Sequence, residues 1–147
     1  MYSDRPFVIY LAGKMTGLTK EEMNYWRTDF TQKLYRLAHD EPCRNVKVIN
    51  PVDYYNTEDQ DAYKEEKEFV RWELRAAMNA DLVVADTSDS LGTMSEVTAA
   101  FMSQKPVILF RRDLMSQTHP FMAYIGDREF EDVGEMAKFV FQYYIKV

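Results

Sequence analysis

At 147 residues, with 46% hydrophobic and 29% charged side chains, the chain has the length and composition of one globular domain and excludes two catalytic ones. Its formal charge of −6, from 24 acidic against 18 basic residues, opposes a nucleic-acid polymer or anionic-membrane surface and points to a small-molecule partner. The single cysteine, Cys43, cannot form an internal disulfide, and no His/Cys cluster has metal-ligand spacing, so a cytoplasmic chain without metal or redox cofactor is expected.

The run Phe7 to Ala12 is apolar, β-branched and closed by Gly13, the pattern of a strand buried on both faces. It is also far too short for a secretory h-region or a membrane span. Thr19 and Glu22 form a capping box, and Met23, Trp26, Phe30, Leu34 and Leu37 follow on one helical stripe. Val46–Ile49 is a second strand, ended by Asn50-Pro51 because proline cannot donate to a ladder. A polar loop follows from Val52 to Gln60. A second helix is expected over 61–79, with Tyr63, Val70, Leu74, Ala77 and Met78 inward and Trp72 turned away from that stripe.

Leu82–Ala85 and Pro106–Phe110 read as the third and fourth strands, flanking a helix over 93–104 with Met94, Val97 and Phe101 on its inner face. Tyr124-Ile125 is a candidate edge strand, and Val133, Met136, Val140 and Tyr143 mark a final helix. Alternating short strands and amphipathic helices predict one doubly wound, flavodoxin-like parallel α/β sheet of four or five strands, with helices on both faces. Ligands in such sheets bind beyond the carboxyl ends of the strands, at the loops after Ala12, Ile49, Ala85 and Phe110.

The loop from Ala12 to Gly17 carries two glycines and Lys14, yet fits neither GxGxxG nor GxxxxGK[ST]. The segment from Asp86 to Glu96 packs Asp86, Asp89 and Glu96 with five hydroxyls at the ligand end, where a helix begins and its free N–H groups favour anions. Thr93 and Glu96 have two readings: a second capping box, or a catalytic carboxylate at a helix start.

Tyr10-Leu-Ala-Gly13, Ile49-Asn-Pro51, Ala80–Ala85, Gly92–Ala100 and Lys105–Ile108, in that order, resemble the nucleoside 2-deoxyribosyltransferase family and its nucleoside 5′-monophosphate N-glycosidase relatives. The resemblance implies cleavage or transfer at the N-glycosidic bond of a nucleoside or nucleotide. It implies Glu96 as nucleophile, Tyr10 orienting it, and Asp89 or Asp86 assisting the leaving base. Gly13, Lys14, Met15, Asn50, Pro51, Ser88, Ser90, Gly92 and Thr93 would contact substrate, with Arg111 or Arg112 as further candidates for a phosphate. No asparagine follows Asn79, whereas the transferase branch completes its site with one near the C-terminus, which puts base exchange in doubt. The alternative is a non-catalytic nucleotide-binding module on the same fold. Tyrosine is abundant, 10 beside 5 Gly. Tyr10, Tyr54 and Tyr55 fall at ligand ends, and Tyr143 and Tyr144 on the last helix suit a homo-oligomer.

Overall fold

The computed structural model describes residues 5–54 and 67–147. Five parallel strands, β1 (Phe7–Ala12), β2 (Val46–Ile49), β3 (Leu82–Asp86), β4 (Val107–Phe110) and β5 (Arg128–Phe130), form one sheet in the order β2-β1-β3-β4-β5. This is the flavodoxin-like order expected, and it reverses direction between β1 and β3. Because side chains alternate along a strand, β1 sends Ile9 and Leu11 to one face and Tyr10 and Ala12 to the other.

The first face is covered by α1 (Lys20–Asp40) and α5 (Val133–Val140), whose Trp26, Phe30, Leu34, Met136 and Val140 fill a core of large apolar side chains. The second is covered by α2 (Lys67–Asn79), α3 (Leu91–Met102) and α4 (Pro120–Ile125). It is lined by small residues, among them Ala12, Ala77, Ala80, Ala85 and Ala100. Small side chains let α2 and α3 approach the sheet closely, so a polar group on either helix lies near the strand backbone. The Thr19 capping box opens α1 as expected, with Glu22 N donating to Thr19 Oγ1 at 3.1 Å.

Several elements depart from expectation. The loop after β2 opens as a 3₁₀ turn, Pro51–Tyr54, while Tyr55, Tyr63 and the expected start of the second helix over 61–66 lie outside the described residues. Helix α2 is rotated: Val70 and Met78 are exposed, while Glu73 and Ala77 are buried. Trp72 is half-buried and packs at a tilt against Tyr54, with ring centroids 5.0 Å apart. Phe101 is half-exposed rather than inward. Tyr124 and Ile125 belong to α4, started by the His119 cap and Pro120 at the first helical position, where a proline's missing N–H costs nothing. The edge strand is instead Arg128–Phe130, largely exposed and therefore without an apolar run to betray it. After α5 the chain continues as a π turn, Phe141–Ile145, which brings Phe141 and Ile145 inward and leaves Tyr143 exposed.

The start of α3 matters most. Ser90, not Thr93, is the N-cap, and its Oγ accepts from Thr93 N at 3.2 Å. Thr93 is therefore the third helical residue, and Glu96 lies a turn further in, with no cap amide to bond. Ser90→Ala should lower stability by about 1 kcal/mol in urea denaturation, the usual cost of a lost cap. Thr93→Val, which removes a buried hydroxyl and no cap, should be close to neutral.

Candidate active site

The carboxyl end of the sheet carries a cleft of about 520 Å³ at the reversal between β1 and β3. Gly13, Lys14, Met15 and Thr16 from the loop after β1 form one wall. Asp89 and Ser90 from the loop after β3, with Gly92 and Thr93 at the start of α3, form the other. Glu96 and Glu73 reach in from α3 and α2. Of the residues singled out from sequence, Gly13, Lys14, Met15, Asp89, Ser90, Gly92, Thr93 and Glu96 thus share one cleft, with Tyr10 fully buried close to Glu96.

Others lie elsewhere. Asn50 is held away from the cleft lining: its Oδ1 accepts from Arg27 at 3.1 Å and from Val52 N at 3.1 Å, and its amide donates to Asn24 at 2.8 Å. Pro51 is buried in the 3₁₀ turn. Asp86, fully buried, accepts from Ser88 N at 2.7 Å and sits 3.8 Å from Arg112. Ser88 lines a neighbouring pocket of about 280 Å³ with Met94, His119, Phe121 and Met122. Arg111 is taken up by the carbonyls of Leu114 and Ser116.

Gly13 leaves the space that Arg27 and Trp26 fill. A Cβ there would come within 2.8 Å of Arg27 Nη2 and 3.0 Å of the Trp26 ring. Its carbonyl accepts from Arg27 Nη2 at 2.9 Å. Gly17 closes the same loop at φ +79°, a left-handed conformation that glycine adopts without strain.

Buried polar atoms are normally hydrogen-bonded. Tyr10 Oη, Thr93 Oγ1, Glu96 Oε2, Asp86 Oδ2, Arg27 Nε and Trp26 Nε1 are not, and they gather around the Gly13 turn and the cleft. Tyr10 interacts with Glu96 closely enough to lower its pKa, but the two oxygens fall short of good hydrogen-bond geometry, so the contact is loose.

Burial pushes Glu96 up to about 8, helped by the negative charge of Glu73 and opposed by Tyr10 and Arg27. Burial pushes Glu73 up to about 7, opposed by Arg27. The helix start was expected to hold Glu96 ionised. Its place in the second turn, under the cleft, reverses that, because desolvation outweighs the distant N–H groups. Tyr10 is raised well beyond its ordinary range, chiefly by burial and then by Glu96. The arrangement is two carboxyls sharing a buried site with one guanidinium, open to a small molecule. Coupled, displaced titrations of this kind mark groups that trade protons near neutrality.

The nucleoside 2-deoxyribosyltransferase-like family profile matches residues 6–114. The chain belongs to that family. Among solved structures, a conserved protein from Enterococcus faecalis V583 superposes with a TM-score of 0.70 at 16% identity, covering 94% of this chain and 99% of its own. The CMP N-glycosidase BcmB from Clostridium botulinum superposes with a TM-score of 0.55 at 15% identity, covering 92% and 98%. At such identities these likenesses establish the shared fold. No curated protein matches the chain. No helix among the described residues is long and apolar enough to cross a membrane.

Two residues central to this geometry, Glu73 and Arg27, are not apparent from the family segments. The sequence signal for each is a charge standing in an inward helical slot: Arg27 between Met23 and Phe30, and Glu73 between Phe69 and Ala77.

Both carboxyls sit above their ordinary value of 4.5, so the folded state holds protons that the unfolded chain releases. The stability they confer is complete below about pH 4.5 and is lost as pH rises through about 7 and 8. Denaturation midpoints should therefore fall between pH 5 and 9. Glu96→Gln should flatten that decline and be more stable than wild type at pH 9, by about 1–3 kcal/mol. An unchanged pH dependence in the variant would refute the assignment.

Proposed function

We propose that this chain cleaves the N-glycosidic bond of a nucleoside 5′-monophosphate, with Glu96 as nucleophile and water as acceptor. The observation that carries the reading is the Glu96 carboxyl itself: buried, free of any capping role, one oxygen without a partner, and lining the cleft at the switch point of the sheet. A glutamate kept only for structure would be capped or paired.

The chemistry follows from the charge state. Glu96 must be ionised to attack C1′ of the sugar; the C1′–N bond breaks, its electron pair leaves with the base, and the base takes up a proton. Glu73 shares the buried site, and its negative charge opposes ionisation of Glu96, so the two trade protons as a pair near neutrality. Asp89, exposed on the cleft rim, is placed to hydrogen-bond the departing base. Water then hydrolyses the glycosyl ester, giving retention at C1′ and restoring the carboxylate. Tyr10, beneath Glu96, orients the carboxylate.

Preference for a monophosphate rests on groups from both walls of the cleft. Lys14 and the first turn of α3, with Ser90 and Gly92, offer a cation and helix N–H groups to an anion. The CMP N-glycosidase that shares the fold acts on such a substrate, which supports the same class here.

The test is a panel of ribo- and deoxyribonucleosides and their 5′-monophosphates, followed by chromatography for free base. Release is expected from at least one monophosphate, falling on the order of 10³-fold in Glu96→Ala and roughly tenfold in Tyr10→Phe. A slow substrate should leave a sugar-phosphate adduct on the Glu96 peptide by mass spectrometry. Equal release by Glu96→Ala, or none from any member of the panel, would sink the mechanism.

A further inference from the structure

We propose that Arg27 is a positioning residue of this site: its guanidinium pins the loop after β1 over the cleft and supplies the buried positive charge that keeps Glu96 available as an anion. The inference deepens the function proposed above and rests on it for its catalytic consequence, but its physical content stands apart.

Arg27 projects from the first third of α1, on the face of the sheet opposite α2 and α3, and reaches over the carboxyl ends of the strands. It has no exposed surface. Its two hydrogen bonds go to neutral acceptors, Gly13 O beyond β1 and Asn50 Oδ1 beyond β2, so one planar fork joins two loops to one helix. The Gly13 turn can be pinned this closely only because position 13 lacks a Cβ. The guanidinium stands 5.5 Å from the Trp26 ring.

The charge is left for the carboxyls. Around Arg27 stand Tyr10 on β1, Glu73 on α2, Asp86 on β3 and Glu96 on α3, and each contributes to its electrostatic environment. Asp86 has Arg112 nearby as a second cation. Glu73 and Glu96 have Arg27. Among the described residues it is the one fully buried cation, against three buried carboxylates. Without it, both glutamates would face the cost of burial and each other unopposed, and the pair would take up protons. A lysine would keep the charge but not the fork.

The experiment needs no ligand. The free protein, labelled with [5-¹³C]glutamate, is titrated by NMR, with Glu73→Gln and Glu96→Gln assigning the two signals. Arg27→Met should raise the Glu96 midpoint by about one pH unit or more, while Arg27→Lys stays near wild type. Should Arg27→Met fail to fold, the Glu73→Gln protein and the Arg27→Met/Glu73→Gln double variant decide: a higher Glu96 midpoint in the double supports the proposal, and equal midpoints overturn it. For the pin, amide hydrogen exchange over residues 13–17 should quicken by about tenfold in Arg27→Lys and in Asn50→Ala, since either breaks the fork. Exchange unchanged in both overturns that half.

With an active substrate, the rising limb of kcat/KM against pH should move with the carboxyl midpoint. An unmoved titration with base release still dependent on Glu96 sinks the role of Arg27 alone. A moved titration with no base released from any substrate sinks the enzymatic reading and leaves the electrostatic one.

Discussion

The structure depends on a charge imbalance that it keeps out of water. Glu73, Asp86 and Glu96 are buried at the carboxyl end of one sheet with Arg27 among them and Arg112 at the edge. Isolated buried charges cost several kcal/mol each, and such groups protonate unless something opposes it. The local architecture is what makes the imbalance tolerable. Alanines on the second face bring α2 and α3 close enough for Glu73 and Glu96 to share one cation. Gly13 opens the space through which that cation arrives from the other side of the sheet. Glu96 also lines the cleft, while its unpaired oxygen stays buried.

Much of this frame was legible in the sequence because the central strands are buried on both faces. Continuous apolar runs such as Phe7–Ala12 and Leu82–Ala85 have one reading in a chain with alternating helices, and the flavodoxin-like order follows from it. The cleft's two loops were legible for the same reason, since ligand ends follow from strand ends. What the pattern hid were charges doing the work of core residues. Glu73 and Arg27 are charged residues on amphipathic helices, and each fills an inward slot.

The C-terminal third was less legible because its elements lack a core signature of their own. The edge strand β5 has one neighbour and exposed side chains, so neither hydrophobic run nor alternation marks it. Helix α4 is six residues long and is set by its cap and proline rather than by periodicity. The π turn widens the helical repeat, so extending a 3.6-residue pattern from Val133 misplaces Tyr143 and misses Ile145.

The two T-x-x-E segments show why a motif and its meaning separate. At Thr19 the threonine begins α1, and Glu22 bonds back to the cap, a wholly local exchange. At Thr93 the same letters follow Ser90, which takes the cap and starts α3 three residues sooner. That shift moves Thr93 and Glu96 into the body of the helix, on the stripe that faces Tyr10 and the small residues of β1 and β3. The Glu96 carboxyl can then reach no free amide, because amides in the second turn are already spent on the helix itself. A glutamate left there has two outlets, a buried neighbour or a molecule in the cleft. Glu73 and Arg27 occupy the first without satisfying it, and the second is the cleft that Glu96 lines.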